Sequence, residues 1–364
     1  MFLGWTNIFP LVSGGPWVSY CLVGKRDLLI KLGATLVIDK LGNFSATTAE
    51  MTWTVLSQGF RNSPHLFWQA LHQDLLHLDL RPNGKILQYV YDLLVCSPDE
   101  ENVQQHVIKV LSFLVERGYK VSRAKAQMVK TKVTYPGVQM THGSRRLSSN
   151  RVQGILQLPS PVAWKQLWAF LGLTRYCRIW IPSYGLISQA LYESLKGQVD
   201  LILLTRGTPP KEAKATGKQA LTQAPTLRLP DLEKAFQLYV HKKEGIALGI
   251  LTQRLGPESQ PVAYLSKRLD PTTRGWPPYL WNLAAIAVLI KDALKLSWGQ
   301  TNFVSHQAKQ LLNERGHLWM SDQRIVRYQV VLMENPGLTI FPCEVLNPAT
   351  LLPTPRALSP FTLA

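Results

Sequence analysis

Asp92 is the residue with the clearest chemical potential in this chain. It lies in Gln88-Tyr89-Val90-Tyr91-Asp92-Leu93-Leu94, an acid inside an apolar and aromatic run. A carboxylate at such a turn either closes the turn through local hydrogen bonds or serves as an oxygen ligand for a hard cation such as Mg²⁺. One carboxylate completed by water holds Mg²⁺ weakly, because the ion demands a near-octahedral set of oxygens. Tyr91 adds a neutral phenol and no second anion. A second group of candidates is cationic. Arg175 and Arg178 fall on one face of a helical stretch, and Trp168 lies two turns before Arg175 on nearly the same side. A basic face carrying an aromatic ring can follow a nucleic-acid backbone by charge and stacking. Lys125, Arg145 and Arg146 add further positive charge.

These residues belong to a chain of 364 with 46% hydrophobic content, enough for a sizeable core and two or three domains. Forty Lys and Arg against 23 Asp and Glu give a formal charge of +17. That balance favours an anionic partner such as RNA or DNA, bound weakly and without sequence preference, since the charge is spread out and forms no long basic run. Cys21, Cys96, Cys177 and Cys343 lie far apart with no C-x-x-C pair, so neither a zinc ribbon nor a disulfide framework is indicated, and a reducing intracellular setting, cytoplasmic or nuclear, is expected. The apolar N-terminus is interrupted by Pro10, Gly14-Gly15 and Pro16 and has no basic residue before Lys25. Neither a secretion signal nor a membrane anchor is expected from it. Nothing in the chain calls for a small-molecule cofactor or specifies an oligomeric state.

The elements that must position the candidates can be placed from periodicity. Ile86 to Val95 reads as a β-hairpin turning at Tyr91-Asp92. Ser63-Pro64 starts a helix, with Ser63 as the cap, and Phe67, Ala70, Leu71, Leu75 and Leu78 recur on its apolar face. Val103 to Glu116 forms an amphipathic helix, strands flank the 141–144 turn, and 161–197 is mainly helical. The 207–218 stretch lacks apolar periodicity and reads as a linker. After it, strands Phe236 to Val240 and Ala247 to Leu251 precede a helix from Tyr279 to Leu296.

Several landmarks stand in a recognisable order: Trp53-Thr54-Val55-Leu56-Ser57-Gln58-Gly59-Phe60, the Tyr89-Val90-Tyr91-Asp92 hairpin, Gly118-Tyr119-Lys120, Phe170-Leu171-Gly172, Pro261-Val262-Ala263-Tyr264-Leu265-Ser266-Lys267 and Leu346-Asn347-Pro348-Ala349-Thr350. From about Met51 to Pro353 the chain resembles the reverse transcriptase region of gammaretrovirus-like Pol polyproteins, most of all those of class I endogenous retroviruses. The resemblance implies an α+β fold: a partial right-hand polymerase palm and a helical thumb, followed by an RNase H-like α/β connection domain. The expected division is 1–50 unassigned, 51–145 palm, 146–200 thumb, 201–219 linker, 220–353 connection domain and 354–364 tail.

The resemblance also implies RNA-directed DNA polymerisation with two Mg²⁺ ions held by adjacent aspartates of a Tyr-x-Asp-Asp hairpin and a third acid on an upstream palm strand. Here Tyr91 occupies the first aspartate position, and only Asp27 and Asp39 precede the Gln-Gly turn, neither in the family's context. Asp92 is thus the one dependable metal ligand, and no Mg²⁺ is expected to bind productively. Gln58 and Gly59 match the nucleotide-contacting turn, Lys125 a lysine-bearing loop near the phosphates, and Tyr135 and Gly137 the primer-grip turn, with Pro136 in place of the usual leucine. His241 stands where related connection strands often carry an acid. The expected function is a catalytically inactive reverse transcriptase fragment with residual nucleic-acid binding through Lys125, Tyr135, Gly137, Arg175 and Arg178. The alternatives are an active polymerase using Asp27 or Asp39, and a retroviral remnant without a selected function.

Overall fold

The computed structural model describes residues 17–22, 34–35, 52–53, 61–80, 84–135, 137–161, 163–195, 209–298, 302–305, 321–332, 337–341 and 346–353. Two compact units are present: residues 14–136 with 140–142, and residues 1–13, 137–139 and 143–364.

The first unit is built on strands β1 (Trp17–Leu22), β4 (Lys85–Tyr89), β5 (Asp92–Ser97) and β6 (Gln127–Lys130), ordered β4-β5-β1-β6. A short pair, β2 (Ala34–Thr35) and β3 (Thr52–Trp53), stands apart, and β7 is Val133–Tyr135. Strand β1 runs antiparallel to both β5 and β6, so it joins the hairpin to the rest of the sheet. Part of the segment expected to be unassigned is therefore a central palm strand. Helix α1 (Ser63–Leu75) begins with Asn62 as its cap and Pro64 in the first turn, so Ser63 is helical and not the cap as expected. Helix α2 (Glu100–Glu116) carries two glutamates in its first turn, which favours its positive end. Phe67 and Leu71 of α1, Leu93 and Val95 of β5, and Val103, Val107, Val110 and Leu114 of α2 form the core. Asp74 interrupts the apolar face of α1 for a reason: it accepts hydrogen bonds from Tyr119 Oη at 2.5 Å and Arg117 at 3.0 Å.

Strand β8 (Val138–Thr141), whose residues are divided between the two units, and β9 (Ser144–Leu147) of the second unit occupy the strands expected beside the 141–144 turn, and β10 (Leu227–Arg228) pairs with β9. Helices α3 (Ser149–Leu156), α4 (Trp164–Tyr176) and α5 (Tyr184–Ser194) make the helical region. Residues 209–219 of the expected linker belong to helix α6 (Pro209–Thr222), while 201–208 lie outside the described residues. Small and amphipathic side chains, including Ala213, Thr216 and Ala220 with Leu221, bury its inner face. Lys218 caps the end of α3 through the carbonyls of Leu156 and Leu158, the latter at 2.8 Å. The segment is thus part of the packed structure, which its lack of large apolar residues hid.

A five-stranded sheet follows, ordered β13-β12-β11-β14-β15: β11 (Phe236–Lys243), β12 (Ile246–Leu255), β13 (Glu258–Arg268), β14 (Asn302–Ser305) and β15 (Leu338–Phe341). The first three pair antiparallel with one another, and β14 and β15 continue the sheet in parallel from β11. Helices α7 (Pro278–Ser297) and α8 (Asp322–Leu332) contribute to the core on one face. Leu186 of α5 and Ala349 and Leu352 near the C-terminus pack with Ile246, Leu248 and Ile250 on the other. Asn347 explains its motif: its carboxamide accepts from Ala349 N–H at 2.9 Å and donates to the Val240 carbonyl at 2.8 Å. Among the described residues no helix is long and apolar enough to cross a membrane.

Candidate functional site

The β4–β5 hairpin turns one residue earlier than expected. Tyr89 pairs with Asp92, leaving Val90 and Tyr91 as a two-residue loop, and Asp92 opens β5. Val90 has φ +54°, a left-handed conformation that a β-branched side chain rarely adopts. Gln88 Nε2 donates to the Trp68 carbonyl at 3.1 Å, tying the hairpin to α1. The Tyr91 ring lies 4.8 Å from that of Phe67, tilted by 50°, and packs against the core. Burial raises the Tyr91 phenol above its ordinary pKa, so it stays neutral at physiological pH.

On its other side, β5 places Asp92 opposite Leu22 of β1. No residue of β1 is acidic. The strand beside Asp92 therefore brings no carboxylate to it, and the turn brings a phenol. Two-metal chemistry needs anionic oxygens from more than one position. The hairpin and its neighbouring strand do not fit Mg²⁺, and among the described residues no group of three or more His, Cys, Asp or Glu is placed to hold a metal. Asp27, Asp39, Gln58, Gly59 and Pro136 lie outside the described residues.

The other expected contacts divide by exposure. Lys125 ends a 3₁₀ turn (Arg123–Lys125) and is exposed with Arg123. Tyr135 is fully buried at 0% exposure, so its side chain is a core group and does not offer the strand contact expected of it. Arg145 is likewise at 0% exposure: its Nη2 donates to the Val262 carbonyl at 2.8 Å and its guanidinium lies 5.6 Å from the centre of the Trp180 ring. Burial lowers its pKa to about 9. It joins β9 to β13 and is not the surface cation expected. Arg146 is exposed and donates to Gln139 at 2.5 Å.

Helix α4 ends at Tyr176, so the spacing that set Arg178 on the face of Arg175 does not extend to it; Arg178 belongs to the next 3₁₀ turn. That turn forms as Trp180, 2% exposed, turns inward and donates to the Arg145 carbonyl. Arg175 remains exposed on α4, and Trp168 is 59% exposed on the same helix.

Gly137 has φ +78°, and an added Cβ would lie 2.3 Å from Arg151 Nε and 2.4 Å from its Nη2. The Nε/Nη2 edge of the Arg151 guanidinium thus faces Gly137, and its Cζ lies over the Tyr176 ring, 4.0 Å from the ring centre. Arg151 was not singled out in the sequence, where it looks like any cation on a short helix. In the second unit, His241 lies on β11 opposite Leu248, its pKa lowered by burial and by Lys243 and Lys242. It brings no acid to that strand.

Residues 15–140 match the family model for reverse transcriptase (RNA-dependent DNA polymerase), and residues 209–304 match that for the RNase H-like domain found in reverse transcriptase. The chain is 44% identical over 309 residues to the Gag-Pol polyprotein of avian reticuloendotheliosis virus, covering 84% of this chain and 27% of that protein. It is 42% identical over 316 residues to that of gibbon ape leukemia virus, covering 86% and 18%. The chain belongs to the retroviral Pol reverse transcriptase family. It spans about a quarter or less of these relatives' length. The reverse transcriptase match begins at residue 15, which corrects the expectation that the likeness starts near Met51 and agrees with β1 as a palm strand. Among solved structures, a foamy viral protease-reverse transcriptase in complex with double-stranded DNA shares the fold at TM-score 0.74 and 22% identity, over 93% of this chain and 59% of that one. The same type of protein in complex with an RNA/DNA hybrid gives TM-score 0.72 at 21% identity, over 95% and 46%.

Proposed function

We propose that this reverse transcriptase region does not carry out template-directed DNA synthesis and retains sequence-independent binding to nucleic acid. The observation that carries the first half is the setting of Asp92: a neutral, core-packed Tyr91 on one side and Leu22 as its cross-strand partner on the other. With one dependable carboxylate, neither the attacking hydroxyl nor the leaving pyrophosphate has its metal clamp. The loss of even one contact made in the transition state typically slows such chemistry by roughly a hundredfold or more.

Binding needs no such constellation. A net charge of +17 and the exposed Lys125, Arg146 and Arg175 favour a polyanion. That the foamy viral relatives were solved with double-stranded DNA and with an RNA/DNA hybrid supports the same class of partner. Purified protein given a primed RNA template with Mg²⁺ or Mn²⁺ is expected to leave the primer unextended, and processive extension overturns the reading. Fluorescence anisotropy with an RNA/DNA hybrid should give a Kd on the order of 10⁻⁴ to 10⁻⁶ M at physiological salt, weakening as salt rises.

A further inference from the structure

We propose that the ring stack of His65, Trp68 and His72 on helix α1 is a platform on which an unpaired base of a single nucleic-acid strand stacks; this rests on the nucleic-acid-binding reading above. The three residues follow one another at spacings of three and four, which sets them on one stripe of the helix. Their rings are already aligned. Those of Trp68 and His72 lie 5.0 Å apart with an angle of 8° between their planes, and those of His65 and Trp68 lie 6.1 Å apart at 18°. None of the three belongs to the core that Phe67 and Leu71 build from the same helix. His65 is exposed, and Trp68 and His72 are half-buried. The middle of the stripe is pinned to β4, where Gln88 Nε2 donates to the Trp68 carbonyl at 3.1 Å.

Rings held parallel outside the core offer a ligand flat π-faces whose orientation is fixed in advance, which lowers the cost of ordering them on binding. The stack ends at the exposed His65 ring, and a further flat ring can extend it there. Every base has such a face, so the contact is indifferent to sequence. A base inside a duplex already stacks on its neighbours, so the platform favours unpaired strands. Charge agrees with this occupant. Arg61 is exposed just ahead of the helix, at the end where the stack is open, and can meet the backbone of a strand whose base lies on His65. The one acid of α1, Asp74, is taken up by Tyr119 and Arg117, so no carboxylate of this helix stands on the stripe to repel a phosphate.

The test is an anisotropy titration across a potassium chloride series with three fluorescein-labelled probes: oligothymidylate, an abasic strand of the same length and charge, and an RNA/DNA hybrid. The full chain should bind oligothymidylate more tightly than the abasic strand. Trp68→Leu and His65→Ala should each weaken oligothymidylate binding by about fivefold or more, at every salt concentration alike, because a stacked base is lost and no phosphate contact is. Their binding to the abasic strand and to the hybrid should stay unchanged, and Trp68→Phe, which keeps a ring, should restore most of the loss. Variants that bind oligothymidylate as the full chain does overturn the proposal, as does a loss shared equally by the abasic strand. A full chain that binds the hybrid but treats the two single strands alike also overturns it, leaves general binding intact and turns the stripe over to a protein partner. A full chain that binds none of the probes at low salt overturns the wider reading and this one with it. Should Trp68→Leu fail to fold, His65→Ala decides, since that side chain is exposed and its removal leaves the core untouched.

Discussion

Strand β5 in the first unit and strand β11 in the second both stand inside their sheets, and both are places where the family likeness leads one to look for an acid. They differ in what surrounds them. Asp92 keeps its carboxylate but has Tyr91 and Leu22 for neighbours, while β11 has His241 in place of an acid. Around β11 the packing is extensive: Leu238, Val240, Leu251, Leu283, Ile286 and Leu289 all belong to one buried cluster. Around Asp92 the core reaches the loop itself through the Tyr91 ring on Phe67. The difference teaches that burial constrains a sheet far more tightly than chemistry does. A buried apolar residue contributes about 1.5–3 kcal/mol to folding, whereas a carboxylate at a turn contributes little to stability and can be replaced without loss of fold.

The largest expected effect strikes the better-packed region. Leu289 is at 0% exposure, and its Cδ1 occupies the space over Gly249, where a Cβ would come within 2.9 Å. Leu289→Ala should cost about 2–5 kcal/mol, read from urea unfolding of the full chain. A loss below about 1 kcal/mol would mean that the site collapses around the cavity and that the cluster is less closely packed than its burial implies.

Tyr91→Asp tests the comparison at its other end. The substitution restores the family's paired aspartates but removes the contact with Phe67 and sets two like charges side by side. A loss of about 1–3 kcal/mol is expected, and primer extension should remain absent because β1 still offers Leu22 opposite Asp92. Extension by Tyr91→Asp would show that Asp27 or Asp39 supplies the missing carboxylate. The polymerase chemistry would then be one substitution away.

What could be read from the sequence follows the same division. The hairpin, α2, the β11–β12 pair and α7 were legible because long apolar runs and amphipathic spacing must be buried one way. Strand β1 was missed because its residues carry no acid to mark it and a six-residue apolar run has no unique period. Helix α6 reads as a linker in the sequence because Ala, Thr and a lysine stem bury much of its inner face in place of a run of Leu or Ile. Arg145, Tyr135 and Arg151 share a subtler reason. Composition cannot tell a cation on the surface from one under a tryptophan, or a tyrosine beside a ligand from one in the core. The partners that decide the matter, Val262 for Arg145 and Gly137 for Arg151, come from other parts of the chain.

A smaller effect probes the acid that the first unit does use structurally. Tyr119→Phe removes the hydrogen bond to Asp74 and leaves Arg117 as its partner. A cost of about 0.5–1.5 kcal/mol is expected. Arg117→Met in the same background should cost more than it does alone, because Asp74 then keeps neither donor. Additive losses in a double-mutant cycle would show that the two contacts act independently.

The smallest effect is one of pH. His106 is buried, its Nδ1 has no partner among the described residues, and burial with nearby Lys109 lowers its pKa below the usual value. The folded state therefore disfavours the imidazolium that the unfolded chain accepts. Above about pH 6.5 both states are neutral at this residue and the full stability is present; below it the unfolded chain binds the proton first, and stability falls until the folded pKa is passed. His241 behaves in the same sense in the second unit. His106→Gln should flatten the loss of the urea midpoint between about pH 7 and pH 5 for the first unit only, and His241→Gln for the second only. A flattening of both by either substitution would show that the two units unfold together, which would remove the independence on which the comparison between them depends.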